Sequence, residues 1–158
     1  MPDLITHVAA AHLLRRPFEL KSHDSATVPM RVLFYLGTIL PDILTRPWYI
    51  LFPATMEWTY PLHTPAGMIL VCSLLALFMA PSIRMKAYLH LLGGGALHFL
   101  LDACQKHLSN NEFWFYPFSW RGFGFQLFWS GEVIPFIPYM ILAVVLMEVF
   151  MAWYKRHQ

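Results

Sequence analysis

His98 and Asp102 stand four residues apart inside an apolar run, Leu92-Gly93-Gly94-Gly95-Ala96-Leu97-His98-Phe99-Leu100-Leu101-Asp102. On a helix that spacing stacks imidazole and carboxylate on one face. Taking two ionisable groups out of water is costly unless they pair with each other or bind a cation. The pair therefore points to a metal site or a proton-handling site. Three further metal-competent residues, His7, Asp42 and His63, lie at the ends of other apolar segments.

Histidine nitrogen and aspartate oxygen suit zinc, and also manganese or ferrous iron; a donor set without thiolates differs from that of purely structural zinc. Three His and two Asp suffice for one divalent metal with an open position, or for two sharing Asp102 as a bridge. Such an ion lowers the pKa of water and polarises a phosphoryl or acyl oxygen. Each residue also has a plainer reading. His98 and Asp102 would tie two helices as a buried ion pair. His7 would be a first-turn residue, Asp42 a turn residue after Pro41, and His63 a helper in capping the next helix. His12 and His90 read as packing or interfacial residues, and His107 as either a second-metal ligand or a solvated helix end. Glu57 and Glu132 are spare acids. No Gly-x-Ser-x-Gly elbow is present to support a serine nucleophile. Gly93-Gly94-Gly95 suits close helix packing better than a phosphate loop.

The elements that must position these residues are helices in a membrane. Of 158 residues, 58% are hydrophobic and only 13% charged, whereas a soluble domain carries about 25% charged residues. The expectation is one all-α membrane-embedded domain over residues 1–158, a bundle of about five helices, some short or half-inserted. The start does not read as a cleaved signal, because its apolar stretch precedes Arg15 and Arg16. A net charge of +2, without a basic stripe, gives no support to nucleic-acid binding. Cys72 and Cys104 are isolated and read as packing residues, with a lone disulfide as the alternative.

The first helix is expected over Asp3–Arg15, followed by a loop from Pro17 to Pro29. The second runs from Met30 to Pro41, where proline should kink or end it. Thr45 to Leu62 reads as irregular and interfacial. Thr64 is the expected N-cap of a third helix with Pro65 in its first position and Pro81 closing it. A fourth covers Ser82–Cys104 and a fifth Val133–Tyr154, with Glu148 snorkelling or paired to a base. Between the last two, ten of the seventeen residues Phe113–Trp129 are aromatic. That composition suits a membrane interface, as an anchoring belt or as a rim around an active site.

Eight of the eleven basic residues fall in three clusters. Arg15, Arg16, Lys21 and Arg31 lie between helices one and two, Arg84 and Lys86 between three and four, and Lys155-Arg156 after five. The positive-inside rule puts these in the cytoplasm. If every helix crosses, His7, Asp42, His63, His98 and Asp102 converge on the opposite, non-cytoplasmic face.

In order, Thr6-His7, Leu40-Pro41-Asp42-Ile43, His63 opening an apolar helix, Gly94-x3-His98-x3-Asp102 and Tyr116-Pro117-Phe118-Ser119-Trp120-Arg121 resemble the YdjM-like family. These are membrane-bound metal-dependent hydrolases regulated by the LexA repressor. The resemblance covers most of the chain and implies a bacterial inner membrane. The order His, Asp, His, His-x3-Asp is also similar to the ligand order of the all-helical zinc-dependent phospholipases C. It implies His7, Asp42, His63, His98 and Asp102 as ligands and a phosphoester as substrate. Trp58-Thr59 stands where the YdjM-like pattern carries His-Arg, and only His107 and Glu132 fall near the later phospholipase ligands.

The leading expectation is hydrolysis of a lipid or lipid-linked phosphoester through metal-activated water, with Asp42 both ligand and water-orienting base. A non-catalytic membrane protein with a structural metal or ion pair is the second. Transport of a metal ion or proton ranks last, because it needs polar residues distributed through the membrane.

Overall fold

The computed structural model describes residues 4–20, 27–106 and 113–157. Helices dominate: α1 (Leu4–Arg15), α2 (Thr27–Leu51), α3 (Met56–Thr59), α4 (Pro65–Leu77), α5 (Arg84–Ala103), α6 (Ser130–Val133) and α7 (Ile137–Arg156). Among the described residues no strand forms, only an isolated bridge between Gln105 and Phe128. The all-α expectation holds.

Of the five expected helices, some expected to be short or half-inserted, fewer than five are long and apolar enough to cross. By length and composition, two segments can cross a membrane, Val28–Leu51 and Gly131–Arg156; a third is reached if Pro53–His63 and Pro65–Leu77, bent by 76°, count as one span. The reason is length and polarity. α1 has 12 residues and α4 has 13, covering about 18–20 Å of a roughly 30 Å hydrocarbon core. α5 is longer, but Arg84, Lys86, His98 and Asp102 all lie on it.

Pro41 does not end α2, which runs on through Pro41 and Pro47 to Leu51. An interior proline costs about 3 kcal/mol, and tertiary contact offsets it here. α2 and α5 cross so closely that a Cβ on Gly37 would lie 2.1 Å from the Leu91 carbonyl oxygen, and one on Gly94 2.0 Å from that of Phe34. Only residues without a side chain fit this crossing, so the glycine run serves packing. The stretch Thr45 to Leu62, expected to be irregular, is instead helical as far as Leu51 and then forms short turns of helix at Pro53–Thr55, Met56–Thr59 and Tyr60–His63.

Thr64 caps α4 as expected, its hydroxyl accepting from Gly67 N at 3.1 Å, with Pro65 next in the chain. Leu40, Met68, Cys72, Leu91 and Phe99, from α2, α4 and α5, form the buried core. Both cysteines are free. α7 leans on α1 and turns most of its apolar surface outward, Met151 alone being buried along it.

Two features mark opposite ends of the bundle. At one end Glu19 is buried and paired with Arg16 and Arg31, each at 2.9 Å, and with Arg15 at 3.6 Å. Glu148 of α7 joins this network through Arg16 at 2.6 Å and His12 at 2.9 Å, which realises its expected pairing with a base. The Glu148 hydrogen bond raises the pKa of the Arg16 guanidinium. At the other end the aromatic segment returns to the foot of α5, where Phe125 N donates to the Ala103 carbonyl at 2.6 Å and Leu127 N to that of Cys104 at 2.8 Å. Phe115, Phe118, Trp120 and Phe123 of this segment are exposed.

Candidate metal centre

The second half of α2, the end of α5 and the turn before α4 bring four acid and imidazole groups together. Asp42, His63, His98 and Asp102 are all buried, and one donor atom from each lies within 4.8 Å of every other. His98 Nε2 is 3.1 Å from His63 Nε2, 3.3 Å from Asp102 Oδ2 and 4.0 Å from Asp42 Oδ1. His63 Nε2 lies 3.4 Å from Asp42 Oδ1 and 3.6 Å from Asp102 Oδ2. His7, buried on α1, stacks on the His98 ring with centroids 4.5 Å apart, and its Nε2 is 3.4 Å from the other Asp102 oxygen, Oδ1. The five residues singled out in the sequence thus meet at one place.

The donors are spaced so that they could hold a cation. Four ligands at 2.0–2.1 Å from a tetrahedral zinc stand about 3.3–3.4 Å apart. The five His–His and His–Asp contacts among these residues lie around that figure, at 3.1–4.0 Å, and all four donors fall within 4.8 Å of one another. Charge-assisted hydrogen bonds close to about 2.7–2.9 Å. This chain makes such bonds elsewhere, as between Arg46 and Asp42 at 2.6 Å or His12 and Glu148 at 2.9 Å. The central groups stop short of that distance and surround a common point.

Proton placement on His98 agrees. Its Nδ1 lies 2.8 Å from the Thr38 carbonyl oxygen. A carbonyl only accepts, so Nδ1 carries the hydrogen, and the other ring nitrogen, Nε2, faces His63 and the two carboxylates. Facing those oxygens, Nε2 either shares a proton with its neighbours or lends its lone pair to a cation held among them. A carbonyl holding the far nitrogen of a ligand histidine is the usual support of a metal site. The donor set therefore fits a divalent ion.

Pro41 has no amide to bond the Gly37 carbonyl, and its ring pushes against the preceding turn. The neighbouring Thr38 carbonyl is the one that holds His98. Thr45 Oγ1 returns a hydrogen bond of 2.8 Å to the Pro41 carbonyl.

Two residues at the site escaped the sequence reading. Arg46 Nη2 donates to Asp42 Oδ2 at 2.6 Å, an i,i+4 pair that is invisible once α2 is assumed to stop at Pro41. Gln105, buried three residues past Asp102, points its amide at Asp102 Oδ1 from 3.5 Å. Other candidates fall elsewhere. Glu132 accepts from Trp129 N at 3.0 Å and caps α6. Glu57 is exposed in an open cleft of about 800 Å³ with Trp58, Tyr60, Phe113 and Trp120. His12 belongs to the Glu148 network, 2.8 Å from the Tyr35 hydroxyl, and His90 bonds the Lys86 carbonyl on its own helix. His107 lies outside the described residues.

Compared with family models, curated proteins and solved structures, the chain matches none.

Proposed function

We propose that this protein is an integral membrane, YdjM-like metal-dependent hydrolase acting on a lipid or lipid-linked phosphoester. The observation that carries the reading is the buried donor cluster, four nitrogen and oxygen ligands from three elements within 4.8 Å of one another.

A divalent ion bound there, zinc by donor type with manganese and iron as alternatives, supplies Lewis acidity for a phosphoryl oxygen and a lowered pKa for water. His63, His98 and Asp102 hold it. Asp42 presents Oδ1 to the same point while Arg46 holds its Oδ2, so that Asp42 both ligates and orients the attacking water. His7 packs against His98 and completes the site or holds a second ion through Asp102 Oδ1. The aromatic segment tied to the foot of α5 supports a lipid substrate, because such rings favour the headgroup region. The basic clusters at the other end support a site on the non-cytoplasmic face of a bacterial inner membrane.

Near-complete burial of the four ligands favours a second reading, in which the metal only fixes the helices. One experiment separates the two. Purified protein is analysed for metal, then presented with phospholipids and lipid-linked phosphates. The hydrolase reading expects stoichiometric metal, turnover that a chelator stops and zinc restores, and an Asp42→Asn variant without activity. Bound metal with no turnover on any substrate assigns the site to structure.

A further inference from the structure

Arg46 stands one helical turn beyond Asp42 on α2, and its guanidinium bonds the Asp42 oxygen that faces away from His63. The side chain of Asp42 is 0% exposed, that of Arg46 20%. The ion pair thus joins a buried ligand to a cation that reaches the outside of the bundle. Arginine stays ionised at any working pH, and its planar fork matches two phosphate oxygens at once.

The charge at the loaded centre follows from these residues. Two carboxylates cancel a divalent ion, and the guanidinium leaves one net positive charge in a poorly solvated place. Such a site gains from an anion and has no matching gain from a neutral ester. A phosphodiester carries the complementary single negative charge.

Resting on the metal-hydrolase reading above, we infer that Arg46 binds a phosphoryl oxygen of the substrate and makes the centre select phosphoesters over neutral carboxylic esters. The guanidinium shares its donors between Asp42 Oδ2 and the anion, so that the phosphorus is held beside the ligand cluster. A purely structural arginine would act only by steadying Asp42, and its loss would appear as loss of metal.

The test uses the full chain in detergent, as wild type, Arg46→Met and Arg46→Lys. Zinc content is read by elemental analysis and binding of inorganic phosphate to the zinc-loaded protein by calorimetry. Both variants are expected to keep the wild-type zinc stoichiometry. Phosphate affinity should fall at least tenfold in Arg46→Met and less in Arg46→Lys, which keeps the charge and loses the fork. Unchanged phosphate affinity with zinc retained overturns the inference, and so does loss of zinc in both variants, which would assign Arg46 to Asp42 alone. If the Met variant does not fold, the Lys variant decides by the same two readings. A wild type that holds no zinc overturns the metal reading beneath, and is seen before any variant is compared.

Discussion

Asp102→Asn is the most discriminating single change, because it keeps the shape of a fully buried side chain and removes an anionic ligand. Structural zinc sites with four ligands are worth about 10–16 kcal/mol, or roughly 2.5–4 kcal/mol per ligand. At 1.4 kcal/mol per decade, the variant should bind zinc about 60- to 700-fold more weakly. Zinc at one hundred times the wild-type Kd stabilises the folded protein by about 2.7 kcal/mol. For a chain of this length about 2–4 °C of Tm accompanies each kcal/mol, so wild type should gain roughly 5–11 °C. With its Kd raised about 200-fold, the variant gains only about 0.2 kcal/mol under the same zinc, a shift below about 1 °C. Thermal unfolding in detergent, with and without zinc, reads both numbers. Equal zinc shifts in the two proteins, or none in wild type, would refute the assignment of Asp102 and the cluster to metal binding.

The helix crossing offers a sharp contrast between neighbours. A methyl at Gly94 meets the backbone of Phe34 and Thr38 at 2.0 and 2.7 Å, whereas one at Gly93 meets only the Phe34 ring at 3.3 Å. Gly94→Ala should cost about 1–3 kcal/mol or more and weaken zinc binding through the displaced Thr38 carbonyl; Gly93→Ala should change melting and zinc affinity little. At the basic end, Glu19→Gln breaks a buried carboxylate with arginine partners and should cost about 3–5 kcal/mol. Glu148→Gln, whose side chain is 43% exposed, should cost under about 1 kcal/mol. Neither should alter zinc affinity, since Arg31 and Asp42 are eleven residues, about 16 Å, apart along α2; calorimetry checks this. Single cysteines at Phe118 and His157, with Cys72 and Cys104 replaced, should label from opposite sides of the membrane; labelling of both from one side contradicts the proposed crossing of α7.

Much of the site was legible because metal chemistry restricts residue type. Acids and imidazoles are costly in apolar helices, so His98, Asp102, His7, Asp42 and His63 stood out against their surroundings, and the charge pattern grouped them at one end. Helix boundaries set by capping were equally plain, as at Thr64-Pro65. The number of crossings was not, because a hydrophobic run reports composition, while spanning needs length. α1 and α4 read as apolar helices and are simply short. Gln105 escaped because glutamine is unremarkable in sequence; only the turn at the end of α5 brings its amide to Asp102.

Pro41 is where local rules and the fold disagree most. Read locally, it kinks or ends a helix; in the structure α2 continues ten residues past it, carrying Asp42 and Arg46 to the cluster. Departures of this kind gather at functional sites, where a fold accepts a local cost in return for geometry. The geometry here is specific. Gly37 and Gly94 let α2 and α5 touch backbone to backbone, which brings the Thr38 carbonyl within 2.8 Å of His98 Nδ1. With a side chain at the crossing, His98 would stand too far off to be held by backbone. An ion pair alone has no need of that oriented support, since His98 and Asp102 already share one helix face. A ligand histidine does need it, because its free nitrogen must be aimed at a point shared with residues from two other elements. The two glycines and the Thr38 carbonyl thus hold His98 in the orientation a ligand histidine needs.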